Sequence, residues 1–416
     1  MSTETVTITS LGAQGDGIAH GPAGPIYVPF ALPGETVAIA RVKNHGTVMS
    51  TSVASPDRIA PACRHFGPEG VGGSCGGCSL QHLAQPAYGA FKRSLVIAAL
   101  KSKGLEPEVG SLVEAEAGQR RRVVFAARRT EKGLLLGFNQ AESHHIVPIE
   151  ECPVMSAGIF ARLEAVRTIA LAAAGADAFR ITVIESLTGL DIAVDGVKQL
   201  SDRQRRDVTE AVLKLRGIAR VSVNGEIVIE PQKPLLDFGG VRVSPPPGAF
   251  TQATVAAEEA MAKLALEHVG KAKRVADLFA GVGTFALRLA RTGQVHAVES
   301  DEKALKALDH AARNTQGLKP VSVEKRDLFR RPLMVSELKA FDAVVFDPPR
   351  AGAEAQCREL ARSAVKQVVA VSCNPLSLAR DLAILVEGGY AITGVTPIDQ
   401  FLWTPHVEVV ATLVRR

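Results

Sequence analysis

The sequence predicts a multidomain α/β protein. A small OB-like β-barrel comes first, a central α+β unit follows, and the C-terminal unit is a doubly wound, mainly parallel sheet. Three observations predict this. Turn residues recur about every ten positions over residues 1–55, the spacing of short barrel strands. Strand-like and helix-like runs then mix irregularly through residues 56–245. Over residues 246–416 short apolar runs alternate with amphipathic helical stretches, the rhythm of strand–helix–strand crossovers.

The first unit, from "TVTITS" to "ETVAIARV", reads as strands broken by glycine turns. A loop from about residue 56 to 80 holds Cys63, Cys75 and Cys78. "AYGAFKRSLVIAALKSKG" is helical and stops at Gly104. In the central unit "RRRVVFAARRT", "GLLLGFNQ", "FRITVIES", "LDIAVDG", "ARVSVNG" and "EIVIE" are strand-like, while "SAGIFARLEAVRTIALAAAG" and "QRRDVTEAVLKLRG" are helical. The last unit has "VADLFA", "VHAVES", "VSVEKRD", "FDAVVFDPP", "VVAVSCNP", "AITGVTPI" and "HVEVVATLV" as strands.

Composition is ordinary for a globular chain of 416 residues: 46% hydrophobic, 22% charged, net charge +5. No apolar run is long enough to span a bilayer, and the polar start "MSTETVTITS" is not a signal peptide. A cytoplasmic protein without membrane contact is expected. Basic residues cluster at Arg120, Arg121, Arg122, Arg128 and Arg129, at Arg203, Arg205 and Arg206, and at Lys325, Arg326, Arg330 and Arg331. Together they favour a polyanionic partner. A cytosolic chain does not spend its six cysteines on disulfides, and the C-x2-C of Cys75 and Cys78 suits metal or cluster ligation.

Chemistry is expected beyond the carboxyl ends of the parallel strands. "DLFAGVGTF", Asp277 to Phe285, follows a strand and opens a helix, and Gly281 and Gly283 allow a tight turn. Glu299 ends the next strand, where an acid can accept both hydroxyls of a ribose. The third glycine of a dinucleotide loop is absent and Asp277 adds an acid, which favours S-adenosylmethionine over NAD. Asp327 ends the following strand, within reach of an adenine edge. "FDPPR", Phe346 to Arg350, is a rigid acidic loop. Cys373 ends the fifth strand in "VSCNP", just before a helix whose N-terminal field favours a thiolate. A thiolate beside a methyl donor suits attack on C6 of a pyrimidine, which makes C5 nucleophilic. A base must then remove the C5 proton, and Glu408, after Trp403-Thr404-Pro405, is the acid placed for it.

These residues together resemble the S-adenosylmethionine-dependent RNA (uracil-5-)-methyltransferases, over nearly the whole chain. The resemblance implies a Rossmann-like last domain, with Cys373 of "SCNP" as nucleophile and Glu408 of "HVE" as base. It implies cofactor contacts at Gln252 of "GAFTQ", Phe279, Thr284, Glu299 and Asp327, and a contact from Asp347 near cofactor and uracil. The N-terminal "GDGIAHGPAGPIYVPFALPGETV" is similar to a TRAM domain, an RNA-binding barrel. "CGGCSLQH" resembles the iron–sulfur motif of members acting on large-subunit ribosomal RNA, which implies a [4Fe–4S] cluster on Cys63, Cys75, Cys78 and Cys152. The tRNA-acting branch generally lacks both features, so the implied partner is 23S ribosomal RNA, met by a monomer. Two places depart from the family pattern. Eleven residues separate Cys63 from Cys75, where five are usual, and Leu402 stands where proline is common. A zinc site on the same cysteines, a tRNA substrate, a cytosine C5 methyltransferase and an RNA-binding protein with an inactive methyltransferase domain are the competing readings.

Overall fold

The structure is a computed structural model that describes residues 2–131, 133–175 and 177–416. The N-terminal unit is a six-stranded sheet of β1 (Ser2–Thr7), β2 (Ser10–Leu11), β3 (Gly17–Gly21), β4 (Gly24–Val28), β5 (Thr36–Val42) and β6 (His45–Val53). Its order is β1-β5-β6-β4-β3-β2, and Thr9 N–H donates to Ile18 O at 2.8 Å, extending the pairing of β2 with β3. Alternate residues face inward, as strand geometry requires: Ile26 and Val28, then Val37 and Ile39, form its core. Buried Glu35 ties this unit to the next. It accepts from Leu32 N, Ser55 N and the Arg58 guanidinium.

Helix α1 (Gln85–Lys101) carries Pro86 in its first turn and is spent by Gly104, at φ +69°. The central sheet comprises β7 (Arg122–Thr130), β8 (Gly133–Asn139), β9 (Ile146–Pro148), β10 (Phe179–Ser186), β11 (Gly189–Asp195), β12 (Ile218–Val223) and β13 (Glu226–Ile229), in the order β13-β12-β11-β10-β7-β8-β9. The sequence predicts one helix across "SAGIFARLEAVRTIALAAAG", and two form: α2 (Ala157–Phe160) and α3 (Leu163–Ala173). The break falls at Arg162, which leaves helical geometry and turns its guanidinium back onto Gly158 O. Helix α4 (Asp202–Lys214) starts at a capping box of Ser201 and Gln204. A hairpin, β14 (Leu236–Asp237) with β15 (Arg242–Val243), leads onward, and its apolar side chains pack into the core of the last unit.

The last unit alternates strand and helix: α5 (Val255–Val269), β16 (Arg274–Leu278), α6 (Ala286–Leu289), β17 (Gln294–Glu299), α7 (Glu302–Arg313), β18 (Val321–Lys325), α8 (Val335–Leu338), β19 (Ala343–Phe346), α9 (Glu354–Ala361), β20 (Gln367–Ser372), α10 (Pro375–Glu387), β21 (Tyr390–Ile398) and β22 (Glu408–Arg415). The sheet order is β18-β17-β16-β19-β20-β22-β21, parallel from β18 to β20, with β22 antiparallel to both its neighbours. Continuous apolar runs such as "AVVF" mark strands buried on both faces. Val344 and Phe346 point to a core shared with α8, α9 and α10, while Ala343 and Val345 point to one shared with α5, α6 and α7. Helix α1 joins the first of these cores through Val96, Ala99 and Leu100, and Val109 and Val113 bridge onto β21, covering the sheet edge. No described helix is long and apolar enough to cross a membrane.

Candidate active site

Strand order reverses between β16 and β19, and a cavity of about 500 Å³ opens there beyond the carboxyl ends. It is walled by Gln252, Phe279, Thr284, Glu299, Asp327, Asp347, Cys373 and Glu408 together. Each of five parallel strands delivers its own side chain to this rim. The eighth residue, Glu408, arrives by register. β22 runs antiparallel to β20, and Ser372 pairs with Val409. One residue beyond that pair on each strand stand Cys373 and Glu408.

The glycine loop is shaped by its own hydrogen bonds. Ala280 N–H reaches Val298 O, and Gly281 N–H donates to Glu299 Oε2 at 2.9 Å. Glu299 Oε1 accepts from the N–H groups of Ser300 and Asp301, which leaves Oε2 with room for a further donor. Gly283 has φ +102°, and a Cβ there would lie 2.9 Å from Leu287 and Leu308, so only glycine fits. Phe279 holds a left-handed φ of +61°, strain of the kind concentrated at functional sites. Its ring lies 5.5 Å from that of Phe329, a half-exposed residue that belongs to no sequence motif. Asp327 Oδ1 accepts from Phe329 N–H, which shapes this turn.

Asp277 is completely buried beneath the loop, and neither carboxylate oxygen has a hydrogen-bond partner. Ala286 N–H faces it without meeting hydrogen-bond geometry. Burial, then the charges of Asp347 and Glu299, drive its pKa well above the carboxylate range. Asp347 accepts from Gln252 Nε2 at 2.9 Å. Its side chain still borders the cavity, yet desolvation pushes it up to about 7. Burial and the charge of Asp347 raise Glu408 to about 8, opposed by a hydrogen bond from Gln400.

Cys373 is subject to more than its helix. Its turn is built as the sequence suggests. Ser372 Oγ accepts from Asn374 N–H, and the Asn374 side chain caps α10 and reaches Arg350 O in the "DPPR" loop. Other groups act on the thiol as well. Burial, with Glu408 and Asp347 nearby, pushes Cys373 up to about 11, against Arg350.

A second cavity, of about 190 Å³, is lined by Cys63, Cys75, Cys78 and Cys152. The long insertion between the first two closes on itself: Cys75 N–H donates to His65 O and Val71 N–H to Arg64 O, with turns at Gly67, Gly72 and Gly73. Eleven residues therefore cost no reach, since Cys75 lies beside His65. Burial raises Cys75 to about 11 and Cys78 to about 12. Among the described residues, no three His, Cys, Asp or Glu side chains are drawn together tightly enough to chelate one ion. Leu402, the second departure, is buried against Leu80, Leu83 and Tyr88 and anchors the loop before Glu408.

The basic clusters are less uniform than their sequence suggests. Arg121 is buried on Glu258 at 2.5 Å, and Arg326 pairs with Glu324 and Glu337. Arg120 and Arg122 lie over the rings of Phe401 and Phe250. Arg128, Arg129, Arg330 and Arg331 remain exposed.

A doubly wound sheet with a glycine loop, a ribose-type acid at the second strand and a cavity at the switch point defines the S-adenosylmethionine-dependent methyltransferase class. Known proteins narrow this. The profile described as tRNA (Uracil-5-)-methyltransferase matches residues 241–416. An RNA methyltransferase of Agrobacterium fabrum is 73% identical over 414 residues, covering 99% of this chain and 100% of the relative. The 23S rRNA (uracil(1939)-C(5))-methyltransferase RlmD of Alkalilimnicola ehrlichii is 33% identical, covering 99% and 96%. The crystal structure of Pyrococcus abyssi tRNA (uracil-54, C5)-methyltransferase in complex with S-adenosyl-L-homocysteine superposes with a TM-score of 0.76 at 26% identity, covering 99% of each chain. The chain belongs to the RNA (uracil-5-)-methyltransferase family.

Proposed function

We propose that this chain methylates C5 of a uridine in 23S ribosomal RNA, with Cys373 as nucleophile and Glu408 as base. The observation that carries this reading is a thiol and a buried carboxyl one residue beyond the last pair of β20 and β22, on the cavity wall that also holds Asp347 and the glycine loop. When bound, S-adenosylmethionine supplies an electrophilic methyl group. Gln252, Phe279, Thr284, Glu299 and Asp327 line the seat for it. The target uracil leaves its stack to enter the cavity. Cys373 Sγ, its proton lost to solvent, bonds to C6, and the C5=C6 electron pair moves toward O4 as an enolate. C5 then takes the methyl group, whose former bonding pair stays on the donor sulfur. Glu408, in its ionised form, accepts the C5 proton. The C–H pair restores C5=C6 and expels the thiolate, leaving 5-methyluridine.

Ribosomal RNA is supported by the similarity to RlmD, and the four cysteines that line one cavity are the residues that would hold a [4Fe–4S] cluster once deprotonated and drawn together. In this reading the N-terminal sheet is the TRAM-like RNA-binding domain. Protein purified without oxygen should carry iron, and stoichiometric zinc without iron would overturn the cluster. A tRNA substrate is the second reading. A tRNA methyltransferase aligns with 99% of this chain, so the N-terminal unit does not by itself separate the two RNAs.

The test uses RNA carrying 5-fluorouridine, whose C5 cannot lose a proton. The native enzyme should form an adduct that survives denaturation, and Cys373→Ala should form none. With ordinary RNA, Glu408→Gln should stay covalently attached to its methylated product. An adduct from Cys373→Ala would sink the assignment. Labelled methyl entering tRNA transcripts and not 23S transcripts selects the second reading.

A further inference from the structure

Two buried amides connect the two carboxyls of the cavity. Gln400 is 1% exposed and Gln252 is 3% exposed. Ala253 N–H donates to Gln400 Oε1 at 2.8 Å. A backbone N–H can only donate, so this contact fixes which end of the Gln400 amide is oxygen. Nε2 must then face the other way, where it donates to Gln252 Oε1 at 2.8 Å and to Glu408 Oε1 at 2.7 Å. With its oxygen so engaged, Gln252 turns its own Nε2 to Asp347 Oδ2 at 2.9 Å. One main-chain donor thus sets the orientation of the whole row, and both hydrogens of Gln400 are committed.

The consequence falls on Glu408. Its Oε1 meets an N–H and nothing else, so a proton on Oε1 would clash with that donor. Its Oε2 is buried without any hydrogen-bond partner. We infer that Gln400 is the positioning residue for the base: it holds Glu408 Oε1 as an acceptor, directs the abstracted C5 proton to Oε2, and through Gln252 ties that arrangement to Asp347. This rests on Glu408 being the base.

The experiment compares the full-length native protein with Gln400→Met, which keeps length and loses both donors and the acceptor. Two steps are read in each sample. Adduct formation on 5-fluorouridine RNA needs attack and methyl transfer but no base. Release of tritium from RNA carrying 5-tritiated uridine needs the base. Their ratio is independent of how much protein is folded. Adduct formation should stay within about threefold of the native rate and tritium release should fall about tenfold or more, the loss of one well-placed hydrogen bond to a charged group. The acid limb of tritium release should also move to higher pH, since the Gln400 N–H favours the ionised base. The other titratable or charged groups around that base are Asp347 after β19, Cys373 after β20, and Arg350 on the rim. None of them is altered. An unchanged ratio with an unchanged pH profile overturns the inference. Glu408→Gln run alongside separates the two claims. If it accumulates methylated adduct while Gln400→Met behaves as native, only the positioning role fails. If Glu408→Gln turns over normally, the base assignment fails and the positioning role with it.

Discussion

Replacing Glu408 by Gln should stabilise the free protein above pH 8, although it stops turnover. Burial and the Asp347 charge raise the Glu408 pKa from 4.5 to about 8. The sign follows from proton binding. Between those values the folded protein keeps a proton that the unfolded chain gives up, so this group's contribution is fully present below pH 4.5 and is lost as pH rises through about 8. At about 1.36 kcal/mol per pKa unit, the whole loss is about 5 kcal/mol. An amide at this position never ionises and escapes it. Against that, its N–H takes the place of the partnerless Oε2 and costs about 1–3 kcal/mol unpaired. The variant should therefore gain about 2–4 kcal/mol over the native chain at pH 8.5, shrinking toward zero or below as pH falls to 5. Urea denaturation followed by fluorescence reads this directly. Trp403 is the sole tryptophan and lies on the loop that leads into β22. A stability difference that is the same at pH 5 and pH 8.5, or no gain at pH 8.5, would refute the reasoning.

Lys92→Met should strip the counter-ion from Asp399, since both side chains are fully buried and 2.5 Å apart, and should cost about 3–5 kcal/mol in thermal unfolding; adding Asp399→Asn should return part of it. Gly283→Ala should cost about 1–3 kcal/mol through its positive φ and weaken S-adenosylhomocysteine binding in calorimetry; unchanged affinity would show that the loop yields. The double change Arg128→Ala, Arg129→Ala should flatten the salt dependence of RNA binding, lowering the slope of log K against log salt by about 2, and an unchanged slope would remove these exposed arginines from the RNA surface.

The parts of this fold that were legible in the sequence are those set by local period and punctuation. The seven strands of the last sheet, with their apolar runs and the glycine, proline and acidic residues at their mouths, could be read one by one because each signal lies within a few residues. The break at Arg162 could not, since it depends on a side chain folding back onto Gly158 O within an otherwise helical pattern. Arg121 read as one of a surface cluster because Glu258, its partner, lies 137 residues away. Gln400 was silent for the same reason: its ties to Gln252 and Ala253 span 148 and 147 residues. The surroundings of the Cys373 thiol were not legible: a helix N-terminus is visible in a sequence, whereas burial and two carboxyls arriving from other strands are not.

Trp403 N–H donates to the Tyr88 hydroxyl across 315 residues, and the N–H groups of Ser79 and Leu80 both meet Trp403 O. The loop that leads into Glu408 is thus clasped by the segment that follows the cysteine motif. During synthesis the early half of this clasp waits for its other half. At about 5–20 residues per second the ribosome needs roughly 15–60 s to make the intervening chain. For that interval the surface around Leu80, Leu83 and Tyr88 lacks Leu402, one of its core neighbours. Glu408, proposed above as the base, is made after every other residue of the cavity wall, so a polypeptide lacking β22 carries the glycine loop without that carboxyl.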